Sequence, residues 1–248
     1  MEWIIKHIAE TDSTNRWLKT HKEEHSLLQD TESNTLRLNN NFCLVADYQT
    51  DGRGCGNNHW EAERGKNLLF SLLIHPEHIA ANRQFHISMA ISLAICESLE
   101  QYIGDLSIKW PNDIYWRNGK IVGILIENTL KGTVIKNSII GVGLNVNQRD
   151  FRSDAPNPVS LWQVSGQETD RDELLHDILR RFDGLLGHDI RNHYLSRLYR
   201  RRGFHPYADA DGAFMAEIAD VREDGHLVLS DEAAKERIYA FKEVQFVL

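Results

Sequence analysis

The run Lys109-Trp110-Pro111-Asn112-Asp113, then Asn118-Gly119 and Lys120, gathers two lysines, an amide and a carboxylate around one predicted turn. Asn-Gly between β-branched and aromatic runs (106–110 and 114–116 before it, 121–127 after) predicts a hairpin, because a type I′ turn needs positive φ at both central residues. Lys120 then stands one residue past the turn on rigid β-structure, with Lys109, Asn112 and Asp113 on the partner side. Pro111 has no N–H for a central ladder, so the strand is expected to kink or bulge there. A bulge that presents Asn and Asp beside lysines suits a site; the plainer alternative is a polar hairpin with surface lysines.

Residues 43–48 read as a strand that runs into Gln49-Thr50-Asp51-Gly52-Arg53-Gly54-Cys55-Gly56-Asn57-Asn58-His59-Trp60. Glycines at alternate positions let a backbone approach a ligand closely, and their N–H groups can form an anion-binding nest. Arg53 adds a fork of donors for phosphate or carboxylate. The loop is not a dinucleotide fingerprint, since the third glycine would fall at Asn57 and no helical pattern follows. Gly65-Lys66-Asn67 is not a Walker A loop, as it lacks the upstream Gly and the Ser/Thr. Most glycine-rich turns are only loops.

Near the N-terminus, Thr11-Asp12-Ser13-Thr14-Asn15 leads into Arg16-Trp17-Leu18-Lys19, a helix start with Ser13 or Thr14 as N-cap. Either the hydroxyls and amide only cap, or they also face a polar ligand. Residues 139–147 (Ile-Ile-Gly-Val-Gly-Leu-Asn-Val-Asn) read as a buried strand with Gly141 and Gly143 on one face. Glycine inside a strand often marks close approach by a ligand or another backbone.

In order and spacing, these segments resemble the biotin protein ligases. The resemblance rests on Ser13-Thr14-Asn15, the 49–54 loop with Trp60, and Gly65-Lys66-Asn67-Leu68 entering a strand. It rests also on 109–113, the 120–127 strand and the 141–147 strand, and it spans roughly residues 10–150, with a fitting C-terminal tail. The family loop typically reads Gly-Arg-Gly-Arg/Gln-x-Gly-Arg/Asn-x-Trp. Here Cys55 stands fourth and Gly56-Asn57 follow, so a side chain that helps fold the loop over the bound adenylate is missing.

The resemblance implies an α+β fold: a mixed, largely antiparallel sheet packed with helices, plus a small SH3-like C-terminal β-barrel. It implies activation of biotin by ATP as biotinyl-5′-AMP, then transfer to a lysine of a biotin carboxyl carrier protein domain. ATP and biotin are substrates, Mg²⁺ accompanies the phosphates, and no protein metal ligands are assigned. Lys120, Arg53 and Asp113 would carry the chemistry. Lys120 and Arg53 serve as cations at the α-phosphate; Asp113 and Asn112 orient and deprotonate the acceptor lysine; Lys109 helps hold the adenylate. Ser13, Thr14, Asn15 and Gln49 match the ureido end of biotin. Gly52, Gly54, Cys55, Gly123, Leu125, Gly141 and Gly143 line the ligand, while Trp60 packs on adenine and Asn145 reads its edge. A monomer or homodimer is expected. Attachment of lipoate or octanoate is the runner-up, but those acids have no ureido ring for Ser13, Thr14, Asn15 and Gln49 to recognise. A non-catalytic biotin or adenylate sensor is a further alternative, against which Lys120 and Arg53 both argue.

The bounds agree. The chain has 248 residues, 42% of them hydrophobic, enough for one large domain and a small second one. A net charge of −8 and a pI near 5.8 argue against a general nucleic-acid binder. The first motif begins about a dozen residues after Met1, too few for a DNA-binding domain of ~50 residues, so no DNA partner is expected. There is no apolar run of membrane-span length and no signal-peptide pattern. Three widely spaced cysteines make no disulfide framework, so a reducing cytoplasm is expected, and the lack of a span-length apolar run leads us to expect no membrane partner.

Residues 82–103 carry a helical apolar stripe (Phe85, Met89, Leu93, Cys96, Leu99), and 151–168 form a loop with a short docked piece at 158–162. Thr169 is expected to cap a long helix, with Gly184 and Gly187 bending or ending it. A further helix should end in Arg200-Arg201-Arg202, a solvated end favoured by the macrodipole. From Gly212 short strands follow, with an Asp224-Gly225 hairpin turn. The expected domains are 1–202 and 203–248. His21-Lys22-Glu23-Glu24-His25 matches a zinc-peptidase pattern, and His75-Pro76-Glu77-His78 does so more weakly. Neither has a third-ligand context, and both are read as surface.

Overall fold

In chain order the first elements are β1 (Trp3–Ile8), α1 (Thr14–His21), β2 (Asn41–Ala46), β3 (Leu68–Ile74), α2 (Phe85–Leu99), β4 (Leu106–Lys109) and β5 (Asp113–Trp116). Then come β6 (Gly119–Lys131), β7 (Val134–Leu144), α3 (Leu161–Ser165), α4 (Arg171–Leu186) and α5 (Arg191–Ser196). The chain ends with β8 (His205–Asp209), β9 (Gly212–Val221), β10 (Leu227–Asp231), β11 (Glu236–Tyr239) and β12 (Gln245–Phe246). This computed structural model describes residues 2–21, 41–56, 58–76, 78–153 and 156–247. The His21–His25 pattern thus falls largely outside the described residues, as do Asn57 of the loop and Glu77. The chain divides into two units: Met1–Ala81 with Asn118–Asp177, and Asn82–Arg117 with Ile178–Leu248.

In the first unit, β3 (LLFSLLI) is buried along its whole length, as a strand covered on both faces must be. The strands run in the order β1-β2-β3-β7-β6; β1 lies parallel to β2 and the remaining pairs are antiparallel. The sheet is therefore mixed and largely antiparallel, as expected. Helix α1 packs on β2, β3 and β7, and its Leu18 joins Phe42, Leu44, Leu73 and Ile139 in the core. β1 is not legible in the sequence, because short apolar runs at a terminus carry little periodicity.

In the second unit, α2 is buried at nearly every position rather than along one stripe, so it is a core helix. It packs on α5, β4 and β5, with Phe85 edge-to-face against Tyr194 at 5.5 Å. The terminal strands form a five-stranded sheet in the order β11-β10-β9-β8-β12, consistent with the SH3-like expectation. Gly225 takes φ +94° where Arg222 and His226 close the hairpin.

Four local expectations are corrected. No kinked strand passes through Pro111: the chain reverses at 110–112, across a cis Trp110–Pro111 bond, and β4 pairs antiparallel with β5. Arg117 (φ +49°), not Asn118 or Gly119, takes the left-handed conformation before β6, so the type I′ expectation fails. Asp170 Oδ1 accepts from the N–H groups of Asp172 and Glu173 and caps α4, while Thr169 exchanges two hydrogen bonds with the Asn147 side chain. The arginine run is not a solvated helix end, since α5 stops at Ser196. Arg200 donates to the carbonyls of Pro206 and Val247, and Arg201 to that of Ile218, because backbone carbonyls of the terminal sheet accept charge-assisted hydrogen bonds. Among the described residues no helix is long and apolar enough to cross a membrane.

Candidate active site

The site in the first unit is built on β6 and β7. Their glycines meet: Gly123 is the cross-strand partner of Gly143, and Leu125 that of Gly141. A Cβ at position 141 would fall 2.3 Å from Asn15 Oδ1. One at 143 would fall 2.5 Å from Trp60 Nε1, and one at 123 would fall 2.7 Å from Trp60 Cζ3. Side chains of this chain, rather than another backbone, thus take the space that these glycines leave.

Asn15 is held from several sides. Its Nδ2 donates to Glu127 Oε2 (3.0 Å) and the Leu125 carbonyl (3.3 Å), and Ser71 Oγ lies 2.6 Å from its Oδ1. Glu127 is in turn paired with Lys19 at 2.5 Å. Thr14 donates both its N–H (2.8 Å) and its hydroxyl (3.1 Å) to Gln49 Oε1. The helix starts at Thr14, so Ser13 occupies the N-cap position, and its carbonyl accepts from Trp17 N–H. Among the described residues nothing engages the Ser13 hydroxyl or Gln49 Nε2, which leaves both for a polar ligand. Sequence reasoning alone gives Ser71 and Glu127 no role. The available signal was Ser71 itself, the one polar residue in β3.

The 52–60 loop is a small two-limbed β-structure. Gly54 N–H donates to the Asn58 carbonyl (2.7 Å) and Trp60 N–H to the Gly52 carbonyl (2.8 Å), and these two bonds pair the backbones of Arg53 and His59 as an antiparallel bridge. The anion-nest expectation therefore changes: the Gly54 N–H points across the loop, because a returning limb with free carbonyls competes for it. Arg53 is exposed and Cys55 half-buried. At the loop root, Arg16 contacts both Asp12 Oδ2 and Asp51 Oδ2, the latter at 2.9 Å. Burial alone would raise the Asp12 carboxyl, but hydrogen bonds from Arg16 and Ser13 N–H override that and hold it below the usual value.

Lys120 lies on β6 as expected, with Nζ 5.8 Å from the Trp60 ring centre. Its backbone is fixed on the 157–159 segment: its N–H donates to the Asn157 carbonyl and its carbonyl accepts from Val159 N–H. Asn145 Nδ2 donates to the Val159 carbonyl at 3.1 Å. Asn145 Oδ1 and Trp60 Nε1 are buried with no partner among the described residues. A buried unpaired acceptor or donor is costly and calls for a partner such as water or a ligand.

In the second unit, Lys109 and Asp113 face each other across the β4–β5 pair, with Asn112 in the connecting turn. Lys109 Nζ lies 3.2 Å from Tyr115 Oη and 5.4 Å from the Phe246 ring centre.

Residues 10–145 match the profile of the biotin/lipoate A/B protein ligase family. The chain is 30% identical to the bifunctional ligase/repressor BirA of Bacillus spizizenii, over 88% of this chain and 73% of that protein. It is 31% identical to the biotin–[acetyl-CoA-carboxylase] ligase of Mycobacterium tuberculosis, over 56% and 52% of the respective chains. Among solved structures, biotin protein ligase from Aquifex aeolicus in complex with biotin and ATP superposes with a TM-score of 0.75. That match has 24% identity and covers 98% of this chain and 99% of that one, a likeness of fold. On this evidence the chain belongs to the biotin/lipoate A/B protein ligase family.

Proposed function

We propose that this chain is an ATP-dependent biotin–protein ligase. It activates biotin as biotinyl-5′-AMP and transfers the biotinyl group to a lysine of a biotin carboxyl carrier domain. The observation that carries this reading is the glycine column of β6 and β7. It seats Asn15 of the Ser-Thr-Asn segment and Trp60 of the glycine-rich loop, with the Lys120 ammonium beside Trp60. The names of the matched ligases, and the biotin and ATP of the Aquifex complex, support the same substrates.

A carboxylate is a poor acyl donor, because its leaving group would be oxide. In the first step a biotin carboxylate oxygen bonds to the α-phosphorus of MgATP and pyrophosphate departs. Two anions must meet, so catalysis is positioning plus electrostatic stabilisation. Lys120 and Arg53 supply the positive charge. Mg²⁺ enters with ATP, held by its phosphates and water. Ser13 Oγ and Gln49 Nε2 can reach the ureido group, and Asn145 Oδ1 can accept from the adenine amino group. In the second step a neutral lysine amine bonds to the acyl carbon and AMP leaves. The proton must go to a base, a role that the Lys109–Asp113 motif assigns to Asp113, with Asn112 orienting the amine and Lys109 holding the adenylate. Among the described residues, strands β8–β12 pair with one another in a sheet of their own, which supports a small C-terminal domain over 203–248.

Mass spectrometry of a carrier domain incubated with the chain, biotin and MgATP tests the proposal. It predicts one biotinyl group on one lysine, dependent on ATP. A carrier left unmodified while biotin binds tightly would favour a sensor, and modification by octanoate or lipoate instead would favour the sister reaction.

A further inference from the structure

We propose that Arg16 is a positioning residue for the 52–60 loop, clasping Asp12 beside the Ser-Thr-Asn segment to Asp51 at the loop root; this rests on the ligase reading above. One guanidinium nitrogen, Nη1, meets Asp12 Oδ2, and the other, Nη2, meets Asp51 Oδ2 at 2.9 Å. The backbone beneath runs in register: Thr50 N–H donates to the Thr11 carbonyl and Asp51 N–H to the Asp12 carbonyl, both at 2.9 Å. Asp12 Oδ1 also accepts from Ser13 N–H at 2.6 Å, so the carboxylate that holds Arg16 directly orients the next residue of the site. On the returning limb, His59 Nδ1 lies 3.5 Å from Asp51 Oδ1. Asp51 is therefore the point to which both limbs of the loop and helix α1 are tied.

The consequence is mechanical and electrostatic. Arg53 stands two residues beyond the clasp, so a rotation at Asp51 displaces the cation assigned to the phosphates. Without Arg16, two adjacent carboxylates would stand uncompensated beside a loop that must take a polyphosphate. All three side chains are about 40% exposed, and such pairs contribute little to stability. The clasp therefore acts on loop geometry and ATP, not on the fold. It also anchors the root of a loop that carries Cys55 where the family typically has Arg or Gln.

The test compares the parent chain with Arg16→Ala, Arg16→Lys and the double variant Arg16→Ala/Asp51→Asn. The KM values for ATP and biotin are read alongside hydrogen exchange of the 52–60 amides. Arg16→Ala should raise the ATP KM roughly five- to tenfold, with the biotin KM within about twofold. Exchange at Gly54 and Trp60 should accelerate and Tm should move by less than about 3 °C. Arg16→Lys should recover part of the loss, and Asp51→Asn should relieve the electrostatic part. Parent-like ATP KM and loop exchange in Arg16→Ala would overturn the clasp. So would an equal loss for both substrates accompanied by a large fall in Tm. If the parent forms no adenylate yet Arg16→Ala still speeds loop exchange, the clasp stands and the ligase reading falls.

Discussion

On the β6–β7 floor, Asn15 has both ends of its amide engaged and lies where Gly141 leaves no room for a methyl group. The 52–60 loop, by contrast, is closed by two cross-limb backbone bonds that pair Arg53 with His59, and Arg53 is exposed. Biotin offers a rigid ureido ring, which a pre-organised floor recognises best. ATP must enter, and the adenylate must be held and then released, which calls for a segment that can move. Under the proposed function the floor would recognise biotin and the loop would retain the adenylate, with Trp60 as the loop side chain that rests on the floor.

The largest effect should come from the cation beside that junction. Lys120→Ala should lower adenylate formation by about 10²–10³-fold, read in single turnover, with little change in Tm. Next, Gly141→Ala should overpack Asn15, costing roughly 1–3 kcal/mol, and each kcal/mol lowers Tm by about 2–4 °C in a chain this long. Gly143→Ala meets Trp60 instead, so the loop can yield: a smaller loss of Tm and a larger rise in ATP KM than in biotin KM. Equal behaviour of the two glycine variants would break the comparison. Cys55→Arg should slow adenylate release roughly three- to tenfold by adding a charge-assisted contact, measured by chasing labelled adenylate. The smallest effect sharpens the picture of the loop. Burial raises the thiols of Cys43 and Cys96, the latter to about 12, so at pH 8 a thiol reagent should modify Cys55 alone. Biotin with MgATP should slow that modification.

The sequence was most legible where chemistry is local. The helix start at Ser13 and Thr14, the strand under Lys120 and the same-face glycines all follow from short-range patterns and all stand where expected. What the glycines accommodate was not legible, because Asn15 and Trp60 reach them from 126 and 83 residues away in sequence, a separation no periodicity encodes. Pro111 is incompatible with a ladder, as its missing N–H implies, but the chain meets this with a full reversal rather than a bulge. The cap of α4 shifted from Thr169 to Asp170 because Asn147 captures the backbone of Thr169. Likewise, the arginines after α5 found carbonyl acceptors that only the folded terminal sheet supplies.

Biotin-dependent exchange of pyrophosphate into ATP tests the central claim most directly, with lipoate and octanoate as parallel acids and Lys120→Ala beside the parent. The account predicts exchange with biotin alone, lost in the variant. Exchange with lipoate or octanoate but not biotin, or none with any acid despite biotin binding, would contradict it.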